Sequence, residues 1–450
     1  MTPTPGQHTE PQTDPHTGLH PGQRTEPHTE PHTGLHPGQR TEPHTEPHTE
    51  PQTELHTGQH TELHISPEFP AVLHRIAELG PALDAEAGPA EERGRHTEDT
   101  VRALLDAGIV RAELPKSLGG YEFSPRQLIE MVEQVSHHDA AAGWTMQALQ
   151  VMTATTAAYL GPVAAAELFP DVATGKHALL AGQGTRPGRA VPVDGGYLVS
   201  GAWQFASGMA HASHIHSAIQ VEGTGELRVL AMPRSEVVLD GNWDVLGLRA
   251  TYSVDYHCDD VYVPATHTYP ATTTTPANGG AVYRLGLVNL SALGHTGWAF
   301  GVGRRLLDEL RSVAAARTGT RNAPVDTSQF HAEYATAEAG LRAARAWAME
   351  VWQDIEATLD AGELPTPDQD TLLRLTLNHA TTTALDVGRT VHRWAGTAAM
   401  RRGPMDRFLR DLNTGSQHIT SSPVVLQNCG MWLSGARPQA RWTFLDLGQD

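Results

Sequence analysis

The chain is 450 residues long, 39% hydrophobic, with a formal net charge of −19 at pH 7. That length allows a large core and more than one domain, and the acidic balance, with no basic stretch interleaved with aromatics, argues against nucleic acid as a partner. Two cysteines, Cys258 and Cys429, are too few for a disulfide framework and fit a reducing cytoplasm; with no basic start leading into an apolar run and no stretch of the roughly 18 apolar residues a membrane span needs, a soluble protein without a signal peptide is expected.

Residues 1–66 form a segment of their own, built on repeats such as "HTEPHTGLHPGQRTEPHTEP", with eleven of the 26 histidines before residue 65. It has almost no large apolar residues to offset ordering entropy, and its prolines recur too often for a helix, so it reads as a disordered tail. Three readings stay open: weak binding of Zn, Ni or Cu, an expanded repeat without selected function, or translation begun upstream of the true start.

From 67 to 176 the apolar spacing is helical, as in "AVLHRIAELGPALDAEA" and "EDTVRALLDAGIVRAELP". Ser124 is a candidate N-cap with Pro125 at the first helical position. From 177 to 270 Gly-Gly turns and β-branched alternation predict antiparallel strands, as in "GGYLVSGAW", "HIHSAIQV", "LRVLAM" and "VDYHCDDVYVP". From 271 to 450 long helical periodicities return and predict a bundle, one that could pair between subunits. The strand over Val199–Ser213, "VSGAWQFASGMAHAS", ends unusually: Trp203 and Phe205 share a parity, then Ser207 and Gly208 stand where a core would continue with Val or Ile. The strand end could be ordinary core closed by a turn, or it could face a ligand.

Four segments carry a resemblance: "LPKSLGGYEFSPRQLIEMVEQVSHHDAAAGW", "VDGGYLVSGAWQFASG", "WDVLGLRATYSVDYHCDDVYVP" and "RWAGTAAMRRGPMDRFLRDLNTGSQHI". In this order and spacing they resemble the acyl-CoA dehydrogenase fold, and within it the two-component flavin-dependent monooxygenases (group D oxygenase components). The resemblance covers the chain from Pro67 to Gly435. It implies an α+β fold with an N-terminal helical domain, a central antiparallel β-domain and a C-terminal four-helix bundle. The implied protein is the oxygenase component of a monooxygenase. It would use reduced FMN or FAD and O2, through a C4a-hydroperoxide, to hydroxylate or N-oxygenate a small organic substrate, possible natural products included. A separate NAD(P)H:flavin reductase, a homotetramer and a cytoplasmic location are implied with it.

The resemblance also assigns residues. Phe205 takes the position of the aromatic that packs on the flavin ring, and Ser207 the position whose hydroxyl reaches the N5 edge, with Gly208 allowing close backbone approach. Arg249 is placed at the flavin, where a guanidinium holds phosphate or polarises the pyrimidine ring, the alternative being a surface ion pair. Ser253 adds a hydroxyl, and Trp144 lines the flavin and substrate cavity or is buried core. His418, eight residues after the Arg410-Asp411 pair, is the candidate for chemistry: a His near the reactive flavin carbon can hold or donate a proton, or orient the substrate.

The dehydrogenase branch of the fold carries a carboxylate base that "NTGSQHITSSP" lacks, with no Glu or Asp between Asp411 and Pro423. A flavin-dependent acyl-CoA-type dehydrogenase or oxidase is therefore one alternative; a non-catalytic scaffold with a metal-buffering tail is another. The position near Met152, where some phenol hydroxylases carry His, is apolar, which puts phenol in doubt and leaves polycyclic aromatics, indoles and amines open. No G-x-G-x-x-G follows an early strand. His214 and His216 share a strand face without a carboxylate or Cys at ligand spacing, so no metal site is expected.

Overall fold

The computed structural model describes residues 66–448. The repeat tail and the readings placed on it lie outside the described residues. Six helices come first: α1 Phe69–Arg93, α2 Glu98–Asp106, α3 Ile109–Glu113, α4 Pro125–His138, α5 Ala140–Tyr159 and α6 Pro162–Leu168. Their starts follow local chemistry. The Thr97 side chain accepts the Thr100 N–H at 3.1 Å to open α2, and Gln127 Oε1 accepts the Ser124 N–H at 3.0 Å, with Pro125 in the first turn of α4.

Seven strands follow: β1 Leu180–Val193, β2 Gly196–Ala206, β3 His214–Val221, β4 Leu227–Pro233, β5 Val238–Leu239, β6 Val254–Pro264 and β7 Thr268–Pro270. They form one sheet in the order β5-β6-β2-β1-β3-β4-β7. The sheet is not antiparallel throughout, as the alternation suggested: β1 and β3 pair in parallel, from Leu180 opposite His214. The reason is connectivity. Asp194-Gly195 turns β1 directly into β2, so the chain leaves β2 on the far side and re-enters beside β1 in the same direction. Pattern alone cannot report which neighbour a strand returns to.

The second helical group is α7 Gly286–Arg317, α8 Ser328–Asp360, α9 Pro367–Ala395, α10 Pro404–Gly415 and α11 Pro423–Leu433, closed by a short hairpin of β8 Arg441–Thr443 and β9 Asp446–Gly448. Helix α7 packs on both α4 and α5 of the first group and on α9 of its own. It is buried nearly all round through its first half, which is why its sequence lacks a clean polar face. The hairpin is pinned to α9: Trp442 Nε1–H donates to Thr371 Oγ1 at 2.8 Å, and the Arg374 guanidinium lies 4.4 Å from the Trp442 ring centroid. No helix among the described residues is long and apolar enough to cross a membrane.

Candidate active site

The strand end of β2 breaks its own alternation. Trp203 is fully buried, stacked on Tyr256 at 5.3 Å, with its Nε1–H donated to the Ala218 carbonyl at 3.1 Å. Phe205 does not share that face. The pairing of β2 with β6 shifts register between Trp203 and Ala206, and Phe205 adopts a left-handed φ of 64°. The bulge turns its ring outward, 63% exposed, onto the wall of a cavity, 6.3 Å from the Trp243 ring. Phe205 N–H is held by Asp255 Oδ1 at 3.2 Å, which fixes the strained residue.

Gly208 corrects its expected role. Its φ of 80° and its lack of a side chain serve packing: a Cβ there would meet Leu149 of α5 at 2.7 Å. The close approach is to the helix that carries Trp144. Asp139 caps that helix, accepting the Ala141 N–H at 2.9 Å, and so sets Trp144 in its second turn.

Trp144 is the hub of the site. Its ring is edge-on to Trp298 at 4.9 Å, to His295 at 5.0 Å and to His418 at 5.6 Å. Gly415, at the end of α10, makes room for both indoles; a Cβ there would run into Trp298 and sit 2.9 Å from Trp144. Trp144 Nε1–H donates to Ser207 Oγ at 3.0 Å. From Ser207 a hydroxyl chain continues to Ser253 at 2.8 Å and Thr251 at 2.6 Å, and ends where Thr251 O–H donates to the Leu248 carbonyl at 2.8 Å. Each hydroxyl has one proton and the terminal carbonyl can only accept, so Ser207 donates to Ser253 and Ser253 to Thr251. Ser207 Oγ therefore has a remaining lone pair and no remaining proton.

His418 opens the short turn Ile419–Ser421. The Thr420 backbone N–H, which can only donate, points at His418 Nδ1 at 3.4 Å, and Thr420 Oγ1 lies 2.8 Å from the same nitrogen. Nδ1 is the acceptor and the ring proton sits on Nε2. Beneath it lies His295 of α7, 4.1 Å between ring centroids and inclined by 31°. Gln147 Nε2 stands 3.5 Å from His295 Nδ1. Burial pushes the His418 imidazole down to about 4. Burial, and then the neighbouring His418, hold His295 well below the usual imidazole range.

These side chains converge on one cavity of about 1140 Å³, lined by Trp144, Phe205, Ser207, Ser253, His295 and His418 among others. Ligand pockets commonly span about 300–1,000 Å³, so this one has room for more than a single small ligand. Arg249 is the exception among the sequence candidates. It is not on the cavity wall; its NH1 donates to the Val245 carbonyl at 3.0 Å and lies 3.7 Å from Asp244. The expected pair Arg410 and Asp411 is structural on both sides. Arg410 binds Glu91 and Asp406 and donates to the Leu246 carbonyl at 3.0 Å, while Asp411 Oδ1 accepts the Leu248 N–H at 2.6 Å. Together they tie α10 to the loop before β6.

Sequence reasoning missed His295, Gln147 and Trp298. The available signal was "LSALGHTGWAFGVG", a lone imidazole in an otherwise apolar helical run. His216, by contrast, is a buried core histidine, its Nε2 2.8 Å from Tyr269 OH and its Nδ1 without a partner. Among the described residues no group of three or more His, Cys, Asp or Glu could hold a metal ion.

Residues 293–423 match the family described as acyl-CoA dehydrogenase, C-terminal domain. The chain is 30% identical over 377 residues to the indole-3-acetate monooxygenase of Pseudomonas putida, covering 80% of this chain and 95% of that protein. It is 27% identical over 369 residues to the flavin-dependent monooxygenase, oxygenase subunit HsaA, of Rhodococcus jostii, covering 78% of this chain and 94% of that one. Its fold superposes on the crystal structure of 3-HSA hydroxylase from Rhodococcus sp. RHA1 with a TM-score of 0.77 at 23% identity, covering 84% and 99% of the two chains.

Proposed function

Because the chain belongs to the flavin-dependent monooxygenases of the acyl-CoA dehydrogenase fold, we propose that the cavity under the β2 strand end is where flavin and an organic substrate meet. The protein is the oxygenase component of a two-component flavin-dependent monooxygenase and uses reduced flavin and O2. The observation that carries the site assignment is the convergence of Trp144, Phe205, Ser207 and His418 on one cavity wall.

The residues present fit a flavin. Phe205 offers an exposed apolar ring, Ser207 an unspent lone pair, and the volume accommodates a tricyclic ring with space beside it. Phe205 and Trp144 would bound the ring, Ser207 Oγ would accept from its N5–H, and Ser253 would hold Ser207 in that orientation. Arg249, outside the cavity wall and 3.7 Å from Asp244, would have to leave that contact to meet a flavin phosphate. Reduced flavin supplies the electrons and the site of O2 activation. His418 would donate its Nε2–H toward the oxygen being transferred or toward the substrate. Trp144, Trp298 and the apolar walls would exclude bulk water and so protect coupling.

The dehydrogenase alternative loses ground here. Asp406 is the one carboxylate among the described lining residues, and it is ion-paired with Arg410 at 2.9 Å. Among the described lining residues no unpaired carboxylate stands ready to remove an α-proton.

The separate reductase is NAD(P)H-dependent in this reading, and either FMN or FAD serves. A homotetramer belongs to this reading, and the exposed apolar side chains of Leu246, 82%, and Met400, 81%, are ones a subunit contact would cover. A cytoplasmic location and domains at 67–176, 177–270 and 271–450 complete the reading. The test supplies a flavin reductase, NADH and FMN or FAD, and follows incorporation of isotopically labelled oxygen into indole and related aromatics. Incorporation supports the reading; flavin turnover that yields only H2O2 with every aromatic offered sinks it.

A further inference from the structure

One stretch of the cavity wall is formed by Gln147, Val151 and Met152 of α5 and by Leu287, Ser291 and His295 of α7. None of these bears a charge at neutral pH, since burial keeps the His295 imidazole unprotonated. Arg410 is the one Lys or Arg among the described lining residues. Its guanidinium is taken up by Glu91, by Asp406 and by the Leu246 carbonyl, and Leu246 is itself an exposed residue. Of the other two lining imidazoles, His418 is kept neutral by burial and His392 is exposed on α9. A carboxylate held against this wall would be desolvated with no free cation to pair with, a situation that disfavours binding. The polar side chains on this wall, Gln147, Ser291 and His295, are neutral.

We infer that the substrate is an uncharged aromatic, and that this chain discriminates against carboxylate-bearing analogues. The inference rests on the oxygenase reading above and deepens it. It separates this chain from its Pseudomonas putida relative, whose name carries an anionic substrate, indole-3-acetate. A shared fold does not fix charge preference, which is set by the side chains on the cavity wall.

The test uses the full-length protein loaded anaerobically with reduced FMN and dialysed to equilibrium against two probes of matched shape, indole-3-acetamide and indole-3-acetate. The amide is expected to bind about tenfold tighter or more. Equal affinities, tighter binding of the acetate, or binding of neither probe would overturn the inference. Retention of reduced FMN is measured in the same cells. Its loss counts against the flavin reading, whereas retained FMN with an unfavourable probe ratio counts against the substrate inference alone. Ser291→Arg places a cation on this wall and is expected to narrow the ratio toward the acetate; an unchanged ratio in a variant that still retains reduced FMN would overturn the placement.

Discussion

The imidazoles of His295 and His418 lie 4.1 Å apart, one on α7 and one on the turn after α10. They come from segments more than 120 residues apart in sequence. Two stacked rings at that distance cannot both be imidazolium, and burial disfavours even one positive charge, so both rings are neutral at physiological pH.

That neutrality has a sign in stability. At pH 7 neither folded nor unfolded imidazole is mostly charged. As pH falls through about 6.5 the unfolded rings take up protons, while folded His418 does not until about 4. Unfolding free energy should therefore decline over that window. His418→Phe, which keeps a ring and removes the titration, should flatten the decline seen in urea melts. NMR titration should place the His418 midpoint below about 5; a midpoint near the ordinary imidazole value would refute the neutral pair.

Coupling should depend on His418 and less on its partner's ring edge. His418→Ala is expected to lower the ratio of oxygenated product to reduced flavin consumed by about tenfold or more, with H2O2 rising in compensation. His295→Phe keeps the stack and should retain most of that ratio, whereas His295→Ala should not. Equal losses in both His295 variants would show that stacking is not what positions His418.

The directed hydroxyl chain from Trp144 to the Leu248 carbonyl makes Ser207 an acceptor. Ser207→Ala leaves the buried Trp144 N–H without its partner, at a cost of about 1–3 kcal/mol, and should weaken reduced-flavin binding. Thr251→Val cuts the chain at its anchor and frees the Ser207 proton. Its expected signature is a smaller ratio of reduced to oxidised FMN affinity, read by anaerobic and aerobic fluorescence titrations; an unaltered ratio would place N5 elsewhere.

Gly208→Ala should destabilise by about 2–4 kcal/mol, since a left-handed backbone and an overpacked contact with Leu149 add. Thermal denaturation checks it. A loss of flavin binding without a loss of stability would return Gly208 to the ligand-facing role that its sequence context suggested.

Glu113 offers a control remote from the cavity wall. It is 4% exposed with an unpartnered Oε1, and burial pushes its carboxyl up to about 8. The folded protein keeps that proton while the unfolded chain releases it near 4.5, so the contribution is full in acid and lost as pH rises through about 8. Glu113→Gln should be the more stable protein by about 2–4 kcal/mol at alkaline pH, with the gap closing toward pH 5. A gap that does not vary with pH would contradict a buried titrating carboxyl.

Much of the architecture was legible because it is local. Helical spacing, the Ser124-Pro125 start and the Asp194-Gly195 turn are decided within a few residues. The family motifs brought Trp144, Ser207, Ser253 and His418 to attention, and they meet on one cavity wall. What could not be read was everything set by a neighbour distant in sequence. The parallel pairing of β1 and β3 depends on where the chain returns. The turning of Phe205 away from Trp203 depends on a register shift against β6. Gly208 answers to Leu149, and His295 acquires a role only because α10 ends above α7 at Gly415. The sequence by itself determined which segments are helix or strand and which residue types reach the site, since period and capping are short-range. Tertiary structure alone decided which side chains share a wall and which protons are already committed, because packing and desolvation are properties of the assembled core.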